Sequence, residues 1–302
     1  MVTVLLSSEI STGLAQQSQN SSARHVLSFG EQSGLEQQMW DTSKPPLCTK
    51  GNFLPICTAL IVLRRQRVTF CNPAKVASTS IRKFFLSVAD GDVTIPFEAR
   101  FPVHQANWTF LNNVPTDLRK QLVTNDLGEQ PWLQFTFIKK VLDRFVSGYL
   151  DKIRHACEKD FDGNDIMLAK SYYYRYGFSC AEHGASFDDF LSFMERIGED
   201  NFEGHFASQS RVCDSRYPFT NMVLVDDMLD SRLAKIGVQL DVKYIPDAKS
   251  RKHRTNSSQR LIQIFMGKHH LVERVLKLFE RDCQHRVELC DVRELLNLLD
   301  DF

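Results

Sequence analysis

Lys75 stands directly in front of a run of small and hydroxylated residues, Val76-Ala77-Ser78-Thr79-Ser80, and behind the hydrophobic approach Val68-Thr69-Phe70-Cys71. A strand that feeds a helix through small residues presents backbone N–H groups at the helix N-terminus, where the macrodipole favours an anion. Thr79 and Ser80 add hydroxyl donors and Lys75 a cation at the strand edge, so these residue types in this order could cradle a phosphate. The pattern is not a Walker A loop, because G-x-x-x-x-G-K-[ST] is absent and the lysine precedes the run instead of following it. The competing reading is a Pro73-Ala74 turn, a solvated lysine and a Ser/Thr helix cap. A second segment, FIKKVLDRFVSGYLDK (137–152), ends a strand at Lys139 and places Ser147 eight residues later inside the following helix. Two histidines near these segments, His104 in FPVHQANW and His205 in EGHFASQSRVCD, are of the type that accepts a proton near neutral pH, although a lone histidine is more often structural.

The elements that must position these residues can be read from periodicity. Val68–Cys71 reads as a buried strand, followed after Pro73 by a helix from about Thr79 to Ala89. WLQFTFI (132–138) reads as a second strand and DRFVSGYLDKIRHACE (143–158) as a helix. The most apolar run, FLPICTALIVL (53–63), contains Pro55, ends in RRQR and falls short of the roughly 18 apolar residues of a membrane span, so it reads as a buried strand. FDDFLSFMERIG (187–198) is helical with Ser186 as N-cap, NMVLVDDML (221–229) is a strand running into a helix, and amphipathic helices near 269–282 and 286–300 close the chain. Alternating strands and helices predict an α/β fold with a central parallel sheet flanked by helices on both faces. Residues 1–45, rich in Ser, Gln and Gly, read as a disordered N-terminal segment, and 46–302 as the folded domain.

Bulk properties narrow the function classes. Among 302 residues, 37 basic side chains balance 37 acidic ones and 43% are hydrophobic, an ordinary globular composition in which only local clusters could attract a polyanion. No nucleic-acid partner is expected. The eight cysteines show no C-x-x-C pair and no histidine at zinc-finger spacing, which argues against a structural metal. Their even number and the sequons at Asn20, Asn107 and Asn256 fit an oxidising secretory compartment, although neither a signal sequence nor an anchor is visible. Cys180 and Cys213 are candidates for a disulfide, a pairing that sequence cannot fix.

Together the two phosphate-type segments resemble the sulfotransferases, in particular the Golgi carbohydrate sulfotransferases that include chondroitin, dermatan and HNK-1 enzymes. A-K-V-A-S-T-S (74–80) is similar to that family's 5′-phosphosulfate loop, P-K-x-x-[ST]-[ST]. Phe137, Arg144, Ser147 and Tyr149 match its 3′-phosphate element, F-x-R-x-P-x-x-R-x-x-S-x-Y, and EGHFASQSRVCD (203–214) resembles its H-W-x-P-Q segment followed by a cysteine. The departures are Ala74 for a proline, Lys139 for the first arginine, Val141 for the second proline, and Phe206 and Ala207 in the third segment. A lysine at 139 keeps the charge but loses bidentate phosphate recognition.

The resemblance implies a P-loop-like sulfotransferase fold and transfer of a sulfo group from 3′-phosphoadenosine-5′-phosphosulfate to a carbohydrate hydroxyl, on an anionic glycan such as a glycosaminoglycan or a glycoprotein glycan. It implies no metal. By it, Lys75 neutralises the bridging oxygen, Val76, Ala77, Ser78, Thr79 and Ser80 hold the 5′-phosphate, and Lys139 and Ser147 hold the 3′-phosphate. Arg144 either supports that phosphate or makes a helix-stabilising salt bridge. His104 is the candidate general base and His205 its rival. The Golgi lumen or secretory pathway, with membrane association, is likewise implied by the family alone. The alternative class is a catalytically silent relative that binds glycan or nucleotide without turnover; a nucleotide kinase is disfavoured by the position of the lysine. Three clusters have bland readings beside functional ones: Arg64, Arg65 and Arg67 as strand flanks, SYYYRY (171–176) as packing surface, and SRKHRTNSS (250–258) as a solvated loop or a segment closing over the cofactor.

Overall fold

The structure, a computed structural model, describes residues 48–300 except 50–51, 54–55, 92, 95–101, 127, 129–130, 159–174, 181–185, 214–216 and 245–256. The expected disordered segment 1–45, the sequons at Asn20 and Asn256, most of SYYYRY and most of SRKHRTNSS lie outside the described residues.

The central sheet has four strands in chain order, β1 (Leu60–Leu63), β2 (Val68–Cys71), β3 (Leu133–Ile138) and β4 (Asn221–Leu224). β2 pairs with β3 and β3 with β4 in parallel, in the registers Phe70↔Phe135 and Phe137↔Val223. β1 pairs antiparallel with β2, Leu60 opposite Cys71 and Leu63 opposite Val68, so the sheet is mixed where a parallel one was expected. The cause is connection length. Only residues 64–67 separate β1 from β2, and a parallel return needs a crossover of about a dozen residues or more. Arg64, Arg65 and Arg67 lie on this turn.

The apolar run 53–63 is not one strand. Phe53 belongs to a two-residue strand paired with Cys48–Thr49, a helical turn follows at Ile56–Ala59, and only Leu60–Leu63 joins the sheet. A proline at 55 supplies no N–H to a ladder and favours the first turn of a helix.

Side chains alternate across the sheet. Phe70, Phe135, Phe137 and Val223 share one core with Ile81, Phe84, Phe85 and Val88 of α1 (Ser78–Val88), where the Phe70 and Phe85 rings stack at 4.0 Å. The alternate residues Thr69, Cys71, Gln134 and Thr136 are buried toward the other side. His104 lies on the short helix α2 (Pro102–Gln105).

The expected helix 143–158 starts earlier and is not uniform: α3 (Val141–Gly148) passes into a π-helical stretch at Tyr149–Arg154 before α-geometry resumes at His155–Glu158. Phe145 of α3 packs against Phe190 of α4 (Phe187–Ile197) at 5.8 Å and against Phe206 at 5.6 Å. Gly148 makes that contact possible, since a Cβ there would lie 2.8 Å from the Phe206 ring. Ser186 caps α4 as expected, its Oγ accepting from the Asp189 N–H. Further on are α5 (Gln209–Val212) and α6 (Leu229–Gln239), whose Leu233 and Ile236 complete the first core. The two expected C-terminal helices are broken into His269–Leu278, Glu280–His285, a 3-10 turn at Val287–Cys290 and Arg293–Asp300. Among the described residues no helix is long and apolar enough to cross a membrane.

Candidate active site

The segment between β2 and α1 has a backbone that its sequence does not advertise. Lys75 (φ 67°) and Ala77 (φ 56°) are both left-handed, and Val76 between them is fully buried. A left-handed non-glycine residue costs roughly 1–2 kcal/mol, so two of them persist only where the surroundings fix them, and such sites cluster at ligand clamps. Left-handed residues in a turn also aim successive N–H groups into an anion-binding concavity.

The fixing groups are visible. Asn72, buried at the end of β2, donates from Nδ2 to the Ser78 carbonyl at 3.3 Å. Arg144 of α3, 2% exposed, donates from Nε to the Ala74 carbonyl at 3.0 Å and from Nη2 to the Gly204 carbonyl at 3.4 Å. Expected at the 3′-phosphate or in a salt bridge, Arg144 is placed beneath the loop, tying it to the turn that carries His205. Burial pulls its guanidinium down to about 10, against the opposing charges of Asp282 and Glu203, which still leaves it charged at neutral pH.

Lys75 extends to Asp151 and forms an ion pair with it. Lys152 Nζ is 3.3 Å from the same carboxylate oxygen. Both acidic and basic partners come from the π-helical stretch. Burial holds the Lys75 amine below its ordinary value, the hydrogen bond and charge of Asp151 oppose this, and Lys152 and Lys139 reinforce it. Burial disfavours ionised Asp151, but the hydrogen bonds and charges of Lys75 and Lys152 outweigh it and leave the carboxyl below its usual range.

His104 meets the loop directly, with Nε2 2.9 Å from Thr79 Oγ1. Its Nδ1 faces Arg82 Nη1 at 3.4 Å. Arginine has only donors, so Nδ1 is the acceptor and Nε2–H donates to the threonine hydroxyl. Burial, then the charges of Arg82 and Lys152, hold the imidazole below its ordinary value. His205 is placed differently. Its Nδ1 and backbone N–H both bond the Glu203 carboxylate, at 2.7 and 2.8 Å, and its connection to the loop runs through Gly204 and Arg144.

At the end of β3, the Lys139 backbone is gripped from both sides by Gln209: its N–H donates to Gln209 Oε1 at 2.8 Å and its carbonyl accepts from Gln209 Nε2 at 2.8 Å. Gln209 is in turn fixed by Asp282, 1% exposed, whose oxygens accept from the Gln209 and Ser210 N–H groups at 2.9 and 2.8 Å. Burial, with Arg144 adding to it against Asp143 and Asp227, lowers the Lys139 amine, and its charge acts on Lys75. Ser147 is half-buried on α3, one turn beyond Arg144. The arrangement brings a cationic, donor-rich loop and a second lysine into one neighbourhood.

The disulfides correct one expectation. Cys213 is bonded to Cys71 and Cys180 to Cys157, rather than to each other, and Cys283 pairs with Cys290. The Cys71–Cys213 bridge staples the end of β2, three residues before Ala74, to the end of α5. Asn72, Arg82, Asp151, Gln209 and Asp282 complete the site without having been singled out in the sequence. Only Gln209 carried a signal, as the glutamine of the third family-like segment. Among the described residues no group of His, Cys, Asp or Glu is arranged to hold a metal ion.

Residues 58–285, well over half of the chain, match the sequence profile of the sulfotransferase family. No curated protein and no solved structure matches the chain.

Proposed function

The chain belongs to the sulfotransferase family, and from that premise we propose that it transfers a sulfo group from 3′-phosphoadenosine-5′-phosphosulfate to a hydroxyl of a carbohydrate acceptor of the chondroitin, dermatan or HNK-1 type. The observation that carries this reading is the twice left-handed loop at Lys75 and Ala77, fixed from below by Arg144 and within the field of Lys139. Its donors and cations suit a nucleotide carrying anionic groups at both its 5′ and 3′ positions.

When bound, the donor supplies an activated sulfo group and a bisphosphate leaving group. The N–H groups of Val76 to Thr79 and the hydroxyls of Ser78, Thr79 and Ser80 would hold the 5′-phosphate. Lys75 would stand beside the bridging oxygen, where a fixed cation helps most as negative charge builds. Lys139 and Ser147 would hold the 3′-phosphate, and Arg144 acts from beneath by fixing the loop. Thr79 orients His104 through Nε2–H, so Nδ1 would give up its long 3.4 Å bond from Arg82 to accept the acceptor's proton. The Glu203–His205 pair favours a second reading, because a carboxylate on Nδ1 orients a histidine as a base at Nε2. The disulfides support an oxidising compartment, hence the secretory pathway or Golgi lumen; an anionic glycan as partner rests on the family resemblance alone.

Transfer of radiolabelled sulfate from the donor to chondroitin, dermatan and heparan acceptors tests the proposal. Wild type should label at least one acceptor, and Lys75→Ala should cut turnover by about a hundredfold or more. Binding of adenosine 3′,5′-bisphosphate without transfer to any acceptor would favour the silent relative. No nucleotide binding would overturn the reading.

A further inference from the structure

The catalytic cation proposed above is not a solitary lysine. Lys75 has a side chain 15% exposed, ends on Asp151, and receives that partner from a helix stretch with π geometry. π-turns inside α-helices are rare and recur at functional sites, because the extra residue turns one side chain off the regular helical face. A flexible lysine otherwise samples many rotamers, and a partner that holds its ammonium lowers the cost of ordering it.

We propose that Asp151 is a positioning residue for Lys75, holding the ammonium at the mouth of the loop and keeping it protonated while its remaining N–H donors face the donor's phosphosulfate oxygens. The inference rests on the reading of Lys75 given above. An ammonium has three donors, so the ion pair and an incoming anion can be satisfied together. Among the described residues three charged groups act on Lys75: Asp151 and Lys152 from the π-helical stretch, and Lys139 from the end of β3. Burial and both lysines push Lys75 towards the neutral amine, which would be useless as a counter-charge, and Asp151 alone of the three opposes them. The same carboxylate is a poor candidate for the general base, since Lys75 and Lys152 hold its proton affinity down.

The test is the pH dependence of adenosine 3′,5′-bisphosphate affinity, by calorimetry, in wild type, Asp151→Asn, Asp151→Glu and Lys75→Ala, with thermal unfolding as a check that each is folded. In wild type, affinity should fall at alkaline pH as Lys75 loses its proton. Asp151→Asn, isosteric but uncharged, should bring that fall down by about one pH unit or more, the usual effect of removing an adjacent opposite charge, and should lower kcat. Asp151→Glu should restore much of both. Lys75→Ala should lack this part of the curve. If Lys75→Ala binds like wild type at every pH, the assignment of Lys75 to the donor fails. If Lys75→Ala alters the curve while Asp151→Asn superimposes on wild type, the positioning role of Asp151 alone is overturned.

Discussion

A general base acts on the acceptor and not on the donor, and that separates His104 from its neighbours at the level of single residues. His104→Ala is expected to lower turnover by about 10²–10⁴-fold while leaving adenosine bisphosphate affinity nearly unchanged. Its pH behaviour is also fixed by its surroundings. Burial, Arg82 and Lys152 lower its proton affinity, so the neutral ring present at pH 7 is lost only as pH falls below the ordinary histidine value of 6.5. The acid limb of kcat/KM should therefore lie below that value, and Arg82→Gln should move it upward. A well-folded His205→Ala enzyme that binds nucleotide but does not turn over, beside a normal His104→Ala, would exchange the two roles.

At the scale of elements, the guanidinium of Arg144 joins α3 to two loops. Arg144→Met leaves the Ala74 and Gly204 carbonyls without this donor, and hydrogen bonds to charged groups are worth about 1.5–3 kcal/mol each. Melting temperature and nucleotide affinity should fall together in that variant, whereas Lys139→Met should weaken binding with little loss of stability. Calorimetry and thermal unfolding on both variants check this; full nucleotide affinity in a destabilised Arg144→Met protein would detach the arginine from the loop. Much of this architecture was legible beforehand. The runs around β2 and β3 gave those strands nearly to the residue, because apolar side chains at every second position, Val68 and Phe70 in one and Leu133, Phe135 and Phe137 in the other, carry the two-residue period of a strand. Periodicity reports burial and not pairing, so it left the direction of β1 open, and the four-residue connection 64–67, too short for a parallel crossover, was the sequence signal that went unused. The π stretch was not legible, because one extra residue in a helical turn leaves no compositional trace. Residue type announced Lys75 and Arg144, but not the partners 76 and 60 positions away that they meet, the Asp151 carboxylate and the Gly204 carbonyl.

For the whole molecule, the candidate site is drawn from Asn72 to Asp282 and exists only when Thr42–Phe302, one compact unit, has folded. Two of its bridges are nested: Cys71–Cys213 spans 142 positions and encloses Cys157–Cys180, which spans 23. A ribosome delivers these cysteines in order, so at about 5–20 residues per second Cys71 precedes its partner by roughly 7–30 s. During that interval the only enclosed thiols to arrive are Cys157 and then Cys180. In an oxidising compartment synthesis therefore sets up a contest in which the wrong partners appear first. A pulse-chase on non-reducing gels should show an early species linking Cys71 to one of them, which disappears into the native form and is missing when Cys157 and Cys180 are both serine. Cys71 staying reduced until Cys213 has emerged would mean that β2 is already shielded in the sheet, and that folding runs ahead of oxidation.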